Sequence, residues 1–160
     1  MNPDLARLQP YPFQKLAELL RGVTPPADKS GIRLSVGEPQ HAAPAVVLEA
    51  ITAQLGSLSS YPSTRGLTEL RSAISAWATR RFGLKRVPLD PERHVLPACG
   101  TREALFSIAQ TVIDHQRHAR PVIIMPNPFY QIYEGAALLA GAEPYFLNTV
   151  ADNHYRMDFE

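Results

Sequence analysis

The second half of the chain alternates short apolar segments with longer amphipathic ones, and this alternation restricts the possible folds more than any other feature. Residues 94–97, 122–125 and 144–147 are short, mainly apolar segments that predict strands. Residues 101–113 and 129–140 carry apolar side chains at helical spacing and predict helices between them. Such alternation favours right-handed crossovers and a parallel sheet. The sequence therefore predicts an α/β fold, in which the continuous run at 122–125 is buried on both faces of the sheet.

The first half of the chain contains three more helical patterns. Residues 13–21 end before a glycine, and residues 44–55 begin at a proline and end before another glycine. Residues 67–81 carry an apolar stripe that includes Leu70 and Trp77, with two arginines in the last turn. Residues 32–36 are predicted as a short strand, and residues 23–30 as a proline-containing linker.

Composition excludes several classes of partner. Sixteen basic and fifteen acidic residues give a formal net charge of +1, which offers no electrostatic case for nucleic acid or an anionic membrane. No apolar run approaches the length of about 18 residues that spans a bilayer. The amino terminus lacks a signal-peptide pattern, and a single cysteine, Cys99, excludes an internal disulfide framework. We therefore expect a cytoplasmic protein without a membrane or nucleic-acid partner.

The segment from Cys99 to Arg102 is the first candidate site. A predicted strand leads into Gly100, and Thr101 can cap the helix that follows. The free N–H groups and the dipole of a helix start attract a phosphate, and glycine lets the backbone approach it. Arg102 would favour a bound dianion, although Glu103 offsets its charge. The same residues also fit an ordinary capped helix, which locally is the commoner case, with Cys99 a small buried residue.

Three further positions have a chemical interpretation. Tyr130 follows the predicted strand at 122–125, where open α/β sheets bind ligands, and its ring could stack on a planar heterocycle. It also fits a turn whose aromatic residues pack in the core. Gly37 permits a close ligand approach or a simple turn, and Tyr61 offers a phenol in a polar loop. His115 and His118 lack a nearby third ligand, so we predict no metal site.

Four motifs in order give the chain a specific resemblance. They are LSVGEP at 34–39, YPSTRGLTELRSAISAWATRRFG at 61–83, CGTREALFSIAQ at 99–110 and PNPFYQIYEGAALLAGAEPYFL at 126–147. This series resembles the class I/II (fold type I) aminotransferases, which depend on pyridoxal 5'-phosphate (PLP). The amino-acid sequence of these motifs, and of LQPYPFQKL near the amino terminus, is most similar to the succinyldiaminopimelate aminotransferase group. The resemblance implies amino transfer between glutamate and N-succinyl-2-amino-6-oxopimelate, in lysine and diaminopimelate biosynthesis.

The resemblance also implies roles for individual residues. The turn formed by Gly100, Thr101 and Arg102 matches the one whose N–H groups hold the cofactor phosphate. Tyr130 matches the aromatic residue that stacks on the pyridine ring. Tyr61 matches a tyrosine that reaches the phosphate of the partner subunit in a homodimer, and Gly37 matches a glycine whose backbone contacts the substrate carboxylate.

The resemblance covers the amino-terminal part of such an enzyme. Residues 1–56 correspond to the arm and a small-domain, substrate-side segment, and residues 57–160 to an incomplete PLP-binding large domain with its first βαβαβ unit. The motif with the Schiff-base lysine lies further on in the family, and Lys15, Lys29 and Lys85 do not match it. We therefore expect residues 1–160 alone to be inactive and poorly folded. Alternatives are another class I/II PLP enzyme, such as a different aminotransferase or a carbon–sulfur lyase, and a non-catalytic dimerising remnant.

Overall fold

The fold is taken from a computed structural model that describes residues 1–32, 34–114, 116–117 and 119–159. Its regular elements are α1 (Pro12–Leu19), α2 (Ala45–Ala53), α3 (Thr68–Arg81), α4 (Thr101–Val112), β1 (Val122–Asn127), α5 (Ile132–Leu139) and β2 (Glu143–Asn148), with short 3-10 helices at Pro3–Arg7, Leu55–Ser59 and Ala151–Asn153. The chain forms two compact units, one of residues 22–97 and one of residues 1–21 together with the chain from Ala98 onward. We call them the middle unit and the terminal unit.

A β-α-β motif organises the terminal unit. β1 and β2 pair in parallel, with Val122 opposite Glu143 and Asn127 opposite Asn148, and α5 connects them. Asn127 Nδ2 donates to Asn148 Oδ1 at 2.8 Å where the two strands end. The parallel pairing that the alternating pattern predicted is confirmed.

The core of the terminal unit lies between one face of β1 and the helices α4 and α5. Ile123 packs against alanines of both helices, and Met125, which is 1% exposed, packs against Ala137 and Ala142. The small alanine side chains let the helices approach closely, and Gln110 of α4 donates to the Ala136 carbonyl of α5 at 3.2 Å. These contacts fix the direction of α4, whose first turn carries the candidate site.

The opposite face of β1 is not covered in the part of the chain that the structure describes. Val122 and Ile124 are 50% and 53% exposed, whereas Ile123 and Met125 point toward the helices. The prediction that residues 122–125 are buried on both faces is therefore wrong here, because α4 and α5 pack on one side of the strand pair.

Polar side chains hold the middle unit together. Arg71 and Ser75 lie on the buried face of α3 and bind the turn at 89–92. Leu70 and Trp77, by contrast, are exposed. Much of the apolar stripe predicted for this helix therefore faces outward in the described structure, with Ile74 and Ala78 half-buried, and a polar face makes the contact with the turn.

The predicted helix ends agree with the structure to within two residues for α1 to α4, and the strand at 144–147 forms as β2. The predicted strand at 94–97 is wrong: these residues have no strand neighbour to pair with, so only the β1-α5-β2 part of the expected βαβαβ unit forms. The described residues of 32–36 also form no strand, and Arg33 lies outside the description. α5 begins three residues later than predicted, because the ring of Phe129 packs on Phe146 of β2 with centroids 4.9 Å apart.

Candidate functional site

The first turn of α4 provides the candidate anion site. Gly100 occupies the cap position, and no side chain caps the helix. The expectation that Thr101 caps it is wrong, because the helix already begins at this residue and its side chain lies within the first turn. The N–H groups at the start of a helix have no acceptor within it, and the helix dipole makes this end electropositive. The turn can therefore donate several hydrogen bonds to an anion.

Glu103 folds back over this helix start. A Cβ atom added to Gly100 would collide with the Glu103 carboxylate, so the glycine leaves the space that this side chain occupies. A carboxylate near a helix amino terminus is favourable, because its charge complements the dipole. An incoming phosphate would replace the Glu103 carboxylate, whose flexible side chain can turn outward to solvent.

Tyr130 meets the same turn from the loop between β1 and α5. Arg102 Nε donates to Tyr130 Oη at 2.9 Å, and the guanidinium carbon lies 5.7 Å from the centroid of the Tyr130 ring. Tyr133 packs edge-on against Tyr130, with centroids 5.9 Å apart. The structure therefore brings together the two segments that the sequence selected independently, although 28 positions separate Arg102 from Tyr130.

A second phenol acts on the same guanidinium. The pKa of Arg102 is raised, chiefly by the hydrogen bond to Tyr130 and next by the nearby phenol of Tyr11. The Tyr130 oxygen accepts a hydrogen bond from the cation, and the phenol of Tyr11, which lines the same cleft, also favours its charged form. Sequence reasoning missed Tyr11 as a site residue, and its place within the LQPYPFQKL motif was the available signal.

A shallow cleft of about 220 Å³ adjoins this cluster within the terminal unit. Its walls include Leu8, Tyr11, Arg102, Phe106, Tyr130 and Gly135. The amino-terminal segment forms one wall, since the Pro3–Arg7 helix contacts α5 and Leu8 Cδ2 lies 3.9 Å from the position of a Cβ at Gly135. The cleft joins aromatic and aliphatic walls to one cation, Arg102, and one carboxylate, Glu134, and its aromatic walls suit a planar ligand.

The remaining predicted site residues lie elsewhere. Tyr61 and Gly37 belong to the middle unit, where Tyr61 is 98% exposed and a Cβ on Gly37 would meet no atom within 4 Å. The roles predicted for Tyr61 and Gly37 stay predictions.

Cys99 is an exposed free thiol, so its expected burial is wrong, because the turn before α4 faces outward. His115 and His118 lie outside the described residues. No helix in the described ranges is long and apolar enough to cross a membrane.

Comparison with known proteins gives a consistent result. The family model described as "Aminotransferase class I and II" matches residues 29–160. The chain is 30% identical, over 161 residues, to an LL-diaminopimelate aminotransferase of Desulforudis audaxviator, with 96% of this chain and 38% of that protein covered. It is 31% identical over 158 residues to the enzyme of the same name from Syntrophobacter fumaroxidans, with 98% and 39% covered.

Solved structures show the same relationship. An aminotransferase from Neisseria meningitidis Z2491 matches with a TM-score of 0.84 and 46% identity, over 94% of this chain and 38% of that one. Aminotransferase AspB from Helicobacter pylori 26695 matches with a TM-score of 0.82 and 33% identity, over 96% and 39%. The chain thus spans about two fifths of these relatives, and the predicted fold class, a partial transferase fold type I, is confirmed. The chain belongs to the class I and II aminotransferases.

Proposed function

We propose that this chain forms the cofactor-anchoring, amino-terminal part of a PLP-dependent aminotransferase. The observation that carries the proposal is the contact between Arg102 and Tyr130, which joins the first turn of α4 to the aromatic residue that we propose for stacking. A helix start without a side-chain cap, a glycine at its cap position and a ring beside it fit a phosphorylated heterocycle.

We assign a separate task to each residue of the site. The N–H groups of Thr101 and Arg102 would donate to the phosphate, and Gly100 keeps the approach open once Glu103 turns away. The ring of Tyr130 would hold the pyridine ring by stacking. When bound, the cofactor supplies an aldehyde for the substrate amine and a ring that takes up the electrons released at the reacting carbon.

Two proposed roles concern residues of the middle unit. Tyr61 would reach the phosphate bound by the partner subunit of a cytoplasmic homodimer, and its 98% exposure leaves the phenol available for this. Gly37 would offer its backbone to the substrate carboxylate, and the open space around it supports this role. We also propose a division into residues 1–56, on the substrate side, and residues 57–160, in the PLP-binding domain.

For the substrate we propose amino transfer between glutamate and N-succinyl-2-amino-6-oxopimelate. The LQPYPFQKL and GTREALF wording supports this choice, and the relatives named LL-diaminopimelate aminotransferases support the diaminopimelate class of substrates. We further propose that a polypeptide of residues 1–160 does not transaminate. The reason is the lysines: Lys15 lies on α1, Lys29 and Lys85 lie outside regular elements, and none of them matches the motif that carries the Schiff-base lysine in the family.

The test uses the intact protein, by which we mean the aminotransferase of which we propose that residues 1–160 are the amino-terminal part. It is loaded with PLP and supplied with glutamate and a panel of keto acids and semialdehydes. We expect the unmodified protein to turn over N-succinyl-2-amino-6-oxopimelate. We expect Gly100→Val to lower the affinity for PLP by at least about tenfold, because the larger side chain narrows the approach to the phosphate site. The matched control is Gly56→Ala, where a Cβ meets no atom within 4 Å. Turnover of a different amino acid, or elimination instead of transfer, would refute the substrate. Oligomers that take up no PLP would refute the enzyme assignment in favour of a dimerising role.

A further inference from the structure

The amino-terminal segment Pro3–Tyr11 packs beside the proposed cofactor site, and nothing proposed above uses it. Its short helix contacts α5, Leu8 seats beside Gly135, and Tyr11 and Tyr130 line one cleft with Arg102. Leu8 Cδ2 lies 3.9 Å from where a Cβ at Gly135 would stand, so Leu8 packs close to this surface of α5. We call this segment the strap.

We propose that the strap positions Arg102, and through it Tyr130, for binding of the cofactor, with Tyr11 as the positioning residue. This inference rests on the proposed PLP site at Gly100–Arg102. Tyr11 does not touch the phosphate in this account. It holds the guanidinium that in turn holds the ring of Tyr130.

The charge of Arg102 explains why a positioning residue is useful there. A cation in the first turn of a helix is repelled by the electropositive end, and the exposed Arg102 side chain would otherwise adopt many rotamers. Tyr130 Oη accepts from the guanidinium, whose carbon lies 5.7 Å from the Tyr130 centroid, and Tyr11 lines the same cleft. In the proposed role the hydroxyl of Tyr11 supplies a second acceptor, and the two phenols together restrict the guanidinium to one place. A ring held in this way is already oriented before a heterocycle arrives, and prior orientation strengthens binding without a new contact.

The sequence of the strap makes it stiff. Tyr11 stands between Pro10 and Pro12, and its backbone is extended, with φ −59° and ψ 128°. A proline fixes its own φ angle and also restricts the residue before it. Tyr11 therefore loses little backbone freedom when its phenol meets Arg102, and Leu8 anchors the strap three residues earlier.

The test is a double-mutant cycle in the intact protein, with binding of PLP and of inorganic phosphate measured by equilibrium titration. Tyr11→Phe removes the hydroxyl and keeps the ring, so we expect both ligands to bind about 2- to 10-fold more weakly. In an Arg102→Met background the same change should have less than about a twofold effect, because Tyr11 then has no guanidinium to hold. Leu8→Ala, which loosens the strap, should weaken binding in the same direction as Tyr11→Phe.

The outcomes separate this inference from the proposed function. Tyr145→Phe, an exposed tyrosine of β2, is the matched control and should bind both ligands as the unmodified protein does. If Tyr11→Phe binds both ligands normally, or weakens their binding by the same factor with and without Arg102, then the strap has no positioning role. The proposed PLP site would still stand. If the unmodified protein binds neither PLP nor phosphate, the proposed function itself fails.

Discussion

At the scale of single residues, Gly66 shows how a backbone position can be essential without any side chain. Its φ angle is +74°, and a Cβ added there would lie 2.8 Å from Pro97 Cγ. The Gly66 N–H also closes a turn by donating to the Ser63 carbonyl at 3.0 Å. Gly66 therefore lets two distant segments of the middle unit, at Ser63–Gly66 and at Pro97, pack directly against each other.

We predict that Gly66→Ala lowers the free energy of unfolding of the intact protein by about 1–3 kcal/mol, because a Cβ disfavours this φ angle and collides with Pro97. Denaturant titration measures the change. Gly56→Ala is the control, since Gly56 has neither a positive φ angle nor a close neighbour, and we expect it to be neutral or slightly stabilising. Equal stabilities of the two variants would contradict the packing of Gly66 on Pro97.

At the scale of elements, the polar face of α3 organises the middle unit. Arg71, whose side chain is 5% exposed, pairs with Glu92 at 2.9 Å and donates to the Pro91 carbonyl at 3.3 Å. The Ser75 hydroxyl donates to the Leu89 carbonyl, and the Leu89 N–H donates to Thr79 Oγ1 at 3.4 Å. One helix face therefore supplies hydrogen-bond partners for backbone groups of the turn at 89–92 that have none within the turn itself.

We predict that Arg71→Met destabilises the intact protein by about 1.5–3 kcal/mol, because hydrogen bonds from a charged donor are lost while the buried space stays filled. The measurement is again the free energy of unfolding. Arg80→Met, an exposed arginine of the same helix, should cost less than about 1 kcal/mol through the helix dipole. A cost for Arg71→Met no greater than that for Arg80→Met would show that the turn at 89–92 is held by other contacts.

The elements that local sequence predicted well are those whose signals are local. Gly83, with φ +63°, follows the end of α3, and Pro12 opens α1, so steric rules at single residues mark these helix boundaries. The strand at 94–97 failed because a strand requires a neighbour, which no local pattern provides. The exposure of Leu70 and Trp77 on α3 was missed for a related reason: helical spacing shows that a helix has two faces, but not which face meets the turn at 89–92.

The residues of the candidate site also divide into those with a local sequence signal and those without one. Gly100, Thr101, Arg102 and Tyr130 were predicted from motifs, because a turn after a strand has recognisable chemistry. Tyr11 and the folded-back Glu103 were not, because their positions depend on contacts between distant segments and on the space left by a glycine. The sequence thus selected the residues of the candidate site, but not Tyr11 and Glu103, which lie beside them.

At the scale of the whole chain, the described residues bury little apolar material. Seven apolar residues are buried among them, and five are alanines, whereas large side chains such as Ile51, Trp77, Val122 and Ile124 are exposed. Exposed apolar surface and an open strand face favour association with further protein. The relatives, of which this chain spans about two fifths, contain additional sequence that can cover such surfaces.

We predict that a polypeptide of residues 1–160 self-associates when produced by itself. Analytical ultracentrifugation should show oligomers that grow with concentration, and an environment-sensitive dye should report exposed apolar surface. Adding a charge at the open face of β1 with Ile124→Lys should reduce the association, whereas Ile123→Val, on the covered face, should not. A monomer that melts in one sharp transition would contradict this prediction.

The most direct measurement of the central claim is a crystal structure of the intact protein with PLP bound. We predict that the phosphate accepts hydrogen bonds from the N–H groups of Thr101 and Arg102, that Glu103 has turned away from Gly100, and that the Tyr130 ring lies parallel to the pyridine ring. A phosphate bound elsewhere, with the first turn of α4 still covered by Glu103, would contradict the assignment of this turn as the cofactor anchor.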